Sequence, residues 1–269
     1  FTDAYNKAAR GNGFTDEFVY SEQEKNYLDK YGDLTGDLHT DLHECLGHGS
    51  GQLLPGVDPD ALKAHGSTIE EARADLFGLY YLPDAKMREL GLTPHDDAYK
   101  AEYYSFMMNG LMTQLVRIEL GNNVEEAHMR NRQLIAKWVF EKGADDKVVE
   151  LVKKEGKTFV KINDYDKLRD LFGQLLGEIQ RIKSEGDYEA ARQLVENYAV
   201  QVDPELHKEV LARYEKLNLA PYKGFVNPVY TAQKDAEGNI VDVTISYEEG
   251  YADQMLRYSS YYANLPYEN

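Results

Sequence analysis

The order of apolar and polar positions along the chain predicts a mainly helical protein. In "DDAYKAEYYSFMMNGLMTQLVRIEL" (96–120), Met107, Met108, Leu111, Met112 and Leu115 recur at helical intervals, as in one long buried helix. "STIEEARADLFGLYYL" (67–82) opens on Ser67 and Glu70, the serine-to-glutamate spacing of a capping box, and continues as helix. "NVEEAHMRNRQLIAKWVFEKG" (123–143) has acids early, bases late and Gly143 at its end, the charge order and stop of a helix. Further helical stretches are expected near 164–185, 187–200 and 203–217, and a last one over "YADQMLRYSSYY". Leu38 to His48 reads as another helix, stopped by "GHGSG". The β signal is small. "KTFVKI" (157–162) reads as a strand, and "NPVYTAQKDAEGNIVDVTISY" (227–247) as a hairpin turning at "DAEGN". No repeat, low-complexity segment or linker interrupts the pattern, so one mainly α domain over 1–269, with a small β-hairpin element, is the expected architecture.

Composition narrows the partners. The 269 residues are 42% hydrophobic and 29% charged, enough to bury a core and keep a solvated surface. Thirty basic against 47 acidic side chains give a net charge of −17. That charge repels phosphate backbones and anionic bilayers, so neither nucleic acid nor membrane is an expected partner. No apolar run approaches the ~20 residues of a membrane helix. The single cysteine, Cys45, permits no intrachain disulfide and is expected to pack as a small apolar side chain. Nothing calls for an oxidising compartment, and a cytoplasmic location is expected. The tyrosines, with pairs at Tyr80-Tyr81, Tyr103-Tyr104 and Tyr261-Tyr262, combine packing area with a polar tip and are expected mostly at core edges. "FTDAYNKAARGNGF" lacks both an initiator Met and a signal-peptide layout, so the chain reads as starting inside a longer protein.

The candidate chemistry lies in "HECLGH", residues 43–48. Zinc peptidases commonly place two histidines four apart on a helix, with the catalytic glutamate after the first. Here the pair is His43 and His48, five apart. At about 100° per residue, a pair four apart is about 40° out of line and a pair five apart about 140°. A shared metal therefore requires a local distortion, a π-bulge of the kind found at functional sites, and Gly47 supplies backbone freedom for it. His39 and His43 have the regular spacing of four, but Thr40 stands where the glutamate belongs, and His39 reads as a polar helix-face residue. A catalytic zinc also needs a third protein ligand and an open position for water. "EEARAD" (70–75) is the candidate source: Glu71 and Asp75 share a helix face, and Glu70 lies beside them. The same acids also fit a capping role, through Ser67-Glu70 and Thr68-Glu71.

Together, His43-Glu44-Cys45-Leu46-Gly47-His48 and Glu70-Glu71-Ala72-Arg73-Ala74-Asp75 resemble the paired H-E-x-x-G-H and E-E-x-R-A-[DE] motifs of the dipeptidyl peptidase III family of zinc exopeptidases. "EEAHMRNR", with His128 and Arg132, resembles a further H-M-x-x-R element of that family. The likeness runs from about residue 30 to the C-terminus and resembles bacterial members most. It implies a helical zinc-binding lobe holding one Zn2+ per chain through His43, His48 and Glu71. Glu44 would serve as general base and then acid. Glu70 and Asp75 would accept hydrogen bonds from the ligand imidazoles. His128 would face the reacting carbonyl, with Arg132 one turn away. Short peptides would be the substrates, cut to release dipeptides from their N-termini. Asp75 is one methylene shorter than the glutamate of some members, which touches the outer contact rather than the metal. Family members are about twice this length or more, with a second, β-barrel-containing lobe for which no segment is found here. The alternative is a zinc-binding helical scaffold with little activity of its own. His65, His95 and His207 stand alone and are unassigned.

Overall fold

A computed structural model describes residues 6, 9–219 and 226–263. Two compact units are distinguished: Asn12–Asn218, and Phe1–Gly11 with Leu219–Asn269. In the first unit the helices are α1 (Phe14–Phe18), α2 (Glu22–Leu42), α3 (Gly66–Tyr81), α4 (Ala85–Glu89), α5 (Tyr99–Leu111), α6 (Ala127–Lys142), α7 (Tyr165–Glu185), α8 (Tyr188–Leu194) and α9 (Pro204–Lys216). Strands β1 (Val149–Lys154) and β2 (Lys157–Ile162) pair antiparallel, with Val149 opposite Ile162 and Lys154 opposite Lys157. The fold is mainly α, as the periodicity predicts.

The core lies where α3, α5, α6 and α7 meet. Ile69, Leu76 and Leu79 from α3 pack with Tyr103 and Met107 from α5, Leu134 from α6 and Phe172 and Leu175 from α7, all fully buried. Helix α3 is buried on nearly every side, which explains its weak polar face. Its burial fixes the backbone positions from which Glu70, Glu71 and Asp75 project.

Five readings of the sequence change. The helix expected from Leu38 begins at Glu22. The stretch expected as one helix over 96–120 ends at Leu111, because Met112 leaves helical geometry (φ −137°, ψ −66°) and Thr113–Arg117 tightens into a 3₁₀ turn. The methionines are core residues all the same, with Met107 and Met112 fully buried. The 187–200 stretch changes from α8 into a π-helical turn over Val195–Ala199. The strand partner of "KTFVKI" is Val149–Lys154, turned at Glu155 (φ 52°) and Gly156 (φ 79°), a two-residue hairpin that glycine favours. His207, unassigned in the sequence, is a structural residue: it is buried, and its Nε2 lies 3.1 Å and 3.0 Å from the carbonyls of Leu115 and Ile118.

In the second unit, β3 (Val229–Lys234) and β4 (Ile240–Ser246) form the expected hairpin, closed by Asp235, whose carboxylate accepts the backbone N–H groups of Glu237 and Asn239. Helix α10 (Tyr251–Tyr262) follows as expected. Its buried Gln254 bonds both backbone groups of Asn227, at 2.6 Å and 2.7 Å. Among the described residues no helix is long and apolar enough to cross a membrane.

Candidate metal centre

Helix α2 runs without interruption into a π-helical turn over His43–His48. The helix distortion required by the spacing is therefore present. Hydrogen bonds closing over five residues stack side chains five apart, where a regular helix would separate them. The imidazoles of His43 and His48 lie 4.7 Å apart between centroids, with their planes at 85°.

The turn packs against α3, and Gly47 is the contact. A Cβ on Gly47 would lie 2.6 Å from the Ala74 Cα and 2.7 Å from its Cβ. Its backbone stays out of the left-handed region, so the glycine serves close approach rather than conformational freedom. Cys45 is exposed on the turn instead of packed, because the turn meets α3 through Gly47, His43 and His48.

Helix α3 brings three carboxylates to the two imidazoles. The Nδ1 of His43 lies 2.6 Å from Asp75 Oδ1, and the Nδ1 of His48 lies 2.9 Å from Glu70 Oε1. Each ring is thereby set to donate from Nδ1 and keep an Nε2 lone pair. Glu71 Oε2 is 3.3 Å from His43 Nε2 and 3.7 Å from His48 Nε2. One ligand atom from each of His43, His48 and Glu71 falls within 4.8 Å of the others, the spread a single ion can bridge. Glu71 Oε2 is also buried with no hydrogen-bond partner. An unpartnered buried carboxylate oxygen is costly, and a cation is what relieves it. Two imidazoles and a glutamate form a donor set that catalytic zinc sites use. The residues present fit the metal.

Electrostatics hold the outer acceptors charged. Burial pushes Glu70 up, but hydrogen bonds from Arg73, Lys183 and His48 outweigh it and hold the carboxyl down at about 2. Burial likewise raises Asp75, and its bond to His43 with the charges of His39 and Arg132 overrides this, leaving it below the ordinary range. For His43 burial acts downward, while Asp75 and Glu71 act upward and prevail. Glu70 makes no capping bond. Helix α3 starts at Gly66 without a side-chain cap, and both Glu70 oxygens are taken within the site.

The other predicted residues line one cleft of about 440 Å³, together with His43 and Asp75. Glu44 is exposed on the turn. His128, in the first turn of α6, has Nε2 3.4 Å from Glu71 Oε2 and Nδ1 2.7 Å from Glu126. Glu126 also caps α6 through the His128 and Met129 N–H groups. Arg132, one turn on, is half-buried in the same wall.

Three features were not read from the sequence. His39 is not a surface residue but is buried behind the site, bonding Glu102 Oε1 at 2.7 Å and the Asp75 carbonyl at 3.2 Å. Burial pushes its pKa down, yet Glu102 and Asp75 drive it up to about 9. Gly78 makes its seat, since a Cβ there would lie 2.2 Å from His39 Cδ2. Arg73 is wholly buried and holds Glu70, a pairing its three-residue spacing signalled. Lys183 reaches Glu70 from α7, a contact that no local spacing announces.

A helical chain that gathers two imidazoles and a carboxylate around one point belongs to the class of metal-site proteins. Residues 59–249 match Peptidase family M49, and the chain belongs to that family. The matched span includes Glu70, Glu71, Asp75, His128 and Arg132, while the His43–His48 turn lies just upstream. The chain is similar to DPP III from Caldithrix abyssi at 25% identity and a TM-score of 0.60, covering 80% of this chain and 38% of that one. It is similar in fold to dipeptidyl-peptidase III from Corallococcus sp. strain EGB, at 21% identity and a TM-score of 0.56, covering 77% of this chain and 34% of that one. The chain thus spans little more than a third of the length of these relatives.

Proposed function

We propose that this chain carries the metal centre of a zinc-dependent peptidase that releases dipeptides from peptide N-termini. The observation that carries the reading is the convergence of His43, His48 and Glu71, with ligand atoms within 4.8 Å. The names of the similar structures and the family membership point the same way.

His43 Nε2, His48 Nε2 and Glu71 would hold the ion. Zinc supplies Lewis acidity, making hydroxide available near neutral pH and polarising a carbonyl. Asp75 and Glu70 fix the ring orientation of the two histidines, so that Nε2 rather than Nδ1 faces the ion. Glu44, on the turn between the histidines, takes the proton from the attacking water and returns it to the leaving amine. His128, whose Nδ1 donates to Glu126 and whose Nε2 lies 3.4 Å from Glu71 Oε2, would as an imidazolium donate from Nε2 to the oxyanion that develops on the scissile carbonyl. Arg132 adds positive charge to the same wall of the cleft.

Metal analysis and hydrolysis of a dipeptidyl-arylamide test the reading together. About one zinc per chain, with turnover that Glu44→Ala abolishes while zinc is kept, supports it. Zinc without turnover favours a zinc-binding scaffold, as the short span relative to the similar structures would allow. No zinc and no turnover contradict both.

A further inference from the structure

The two zinc-facing imidazoles are not supported alike. Asp75 reaches His43 with one oxygen, and its other oxygen is buried with no hydrogen-bond partner. Glu70, which serves His48, has both oxygens engaged. Oε1 takes His48 Nδ1 at 2.9 Å and Arg73 Nη2 at 2.9 Å. Oε2 takes Arg73 Nε at 3.0 Å and the Lys183 ammonium. The guanidinium therefore grips the carboxylate as a planar fork, the arrangement that best fixes its orientation.

The same guanidinium also holds the turn. Arg73 Nη2 donates to the Gly47 carbonyl at 2.6 Å, one residue before His48. Its Nη1 lies 3.4 Å from Ser50 Oγ and 3.4 Å from Gln180 Oε1. Arg73 is fully buried, so these contacts are not shared with solvent. One group thus sets the distance between the acceptor on α3 and the π-helical turn that carries the ring. Lys183 closes the other side from α7, with its side chain 31% exposed.

We propose that Arg73 and Lys183 are positioning residues of the metal centre. They hold Glu70 in the one orientation that keeps the His48 proton on Nδ1 and its Nε2 free for the ion. This rests on the zinc reading for its consequence but not for its geometry. The effect is confined to His48, because neither residue touches Asp75 or His43. Loss of the clamp releases Glu70 to rotate, and His48 then samples the other tautomer.

The test uses the full chain labelled with ¹⁵N-histidine, first metal-free in chelator at alkaline pH, where neutral imidazoles give distinct tautomer signatures, and then titrated with Zn2+ against a chromophoric chelator. The variants are Arg73→Lys, which keeps charge but not the fork, and Lys183→Gln at a partly exposed position. In the wild type, His48 shows the Nδ1–H signature. In both variants that signature is lost from His48 and kept in His43. Zinc affinity falls about 10- to 100-fold in Arg73→Lys, the usual range for removing an outer contact, and by a smaller factor in Lys183→Gln. A merely structural role would leave the His48 tautomer unmoved. Variants with wild-type affinity and an unchanged His48 signature overturn the proposal. Should Arg73→Lys fail to fold, Lys183→Gln decides alone. Should the wild type bind no zinc, the zinc reading falls, and the metal-free spectra still decide the clamp.

Discussion

Gly47 of the π-helical turn and Ala74 of α3 meet backbone to backbone: a Cβ on Gly47 would sit 2.6 Å from the Ala74 Cα and 3.0 Å from its carbonyl oxygen. The turn is tied to α3 through the Gly47 carbonyl and buried Arg73, so an added methyl is accommodated only by forcing the turn away from α3. Gly47→Ala is therefore expected to destabilise the fold by about 1–3 kcal/mol, the usual cost of overpacking. It should also move His48 away from Glu71 and weaken zinc binding. Denaturant melts and a zinc titration of the same variant check both effects.

His39 is expected to give the stability of the metal-free protein a pH dependence. Its folded pKa is raised to about 9, above the ordinary 6.5, by Glu102 and Asp75 acting against burial. A raised folded value means that the contribution is complete below about 6.5 and is lost as pH climbs through about 9. Wild-type chain in chelator should lose stability over that window. His39→Gln should be less stable below it and flatter across it. Urea melts from pH 6 to pH 10 measure this, and identical slopes for the two proteins would rule the linkage out.

Among the described residues, the Glu44 side chain makes no hydrogen bond or ion pair with α3 or the outer acceptors, and it is exposed. Glu44→Gln should therefore leave the melting temperature and the zinc content unchanged. Hydrolysis should fall about 10²- to 10⁴-fold, the range for a lost general base. Steady-state rates with a dipeptidyl-arylamide, alongside metal analysis of the same sample, provide the comparison.

Protons should compete with zinc. The His43 pKa is raised, because Asp75 and Glu71 prevail over burial, so its ring holds a proton at higher pH than an ordinary histidine. Metal binding requires the neutral ring. Apparent zinc affinity is expected to fall as pH drops through neutrality, with protons released on binding at pH 7. Calorimetric titration in buffers of different ionisation enthalpy counts those protons. A count of zero would contradict the competition.

Most of the fold could be read along the chain because its cues are local. Asp164 and Gly186 bracket α7 as cap and stop, and "DAEGN" turns the second hairpin. What escaped depended on distance in the sequence. The end of α5 at Leu111 has no proline or glycine directly after it, and Asn109-Gly110 fall inside the last turn, where Gly110 serves close packing against Arg132 and Ala136. His39 reads as a polar helix-face residue because its partners, Glu102 and the Asp75 carbonyl, are 63 and 36 residues away. The five-residue spacing of His43 and His48 was legible as a demand for a distortion, since helix geometry alone forbids the alternative. The reason for Gly47 was not, because Ala74 enters only through packing.

One divalent ion is expected to sit between the turn and α3. Anomalous diffraction from a crystal of the chain soaked in zinc, collected on both sides of the zinc absorption edge, tests it most directly. The expected result is a single strong peak per chain, bonded to His43 Nε2, His48 Nε2 and a Glu71 oxygen. A map with no peak there, or a regular α-helix through residues 43–48 with the two rings turned apart, would contradict it.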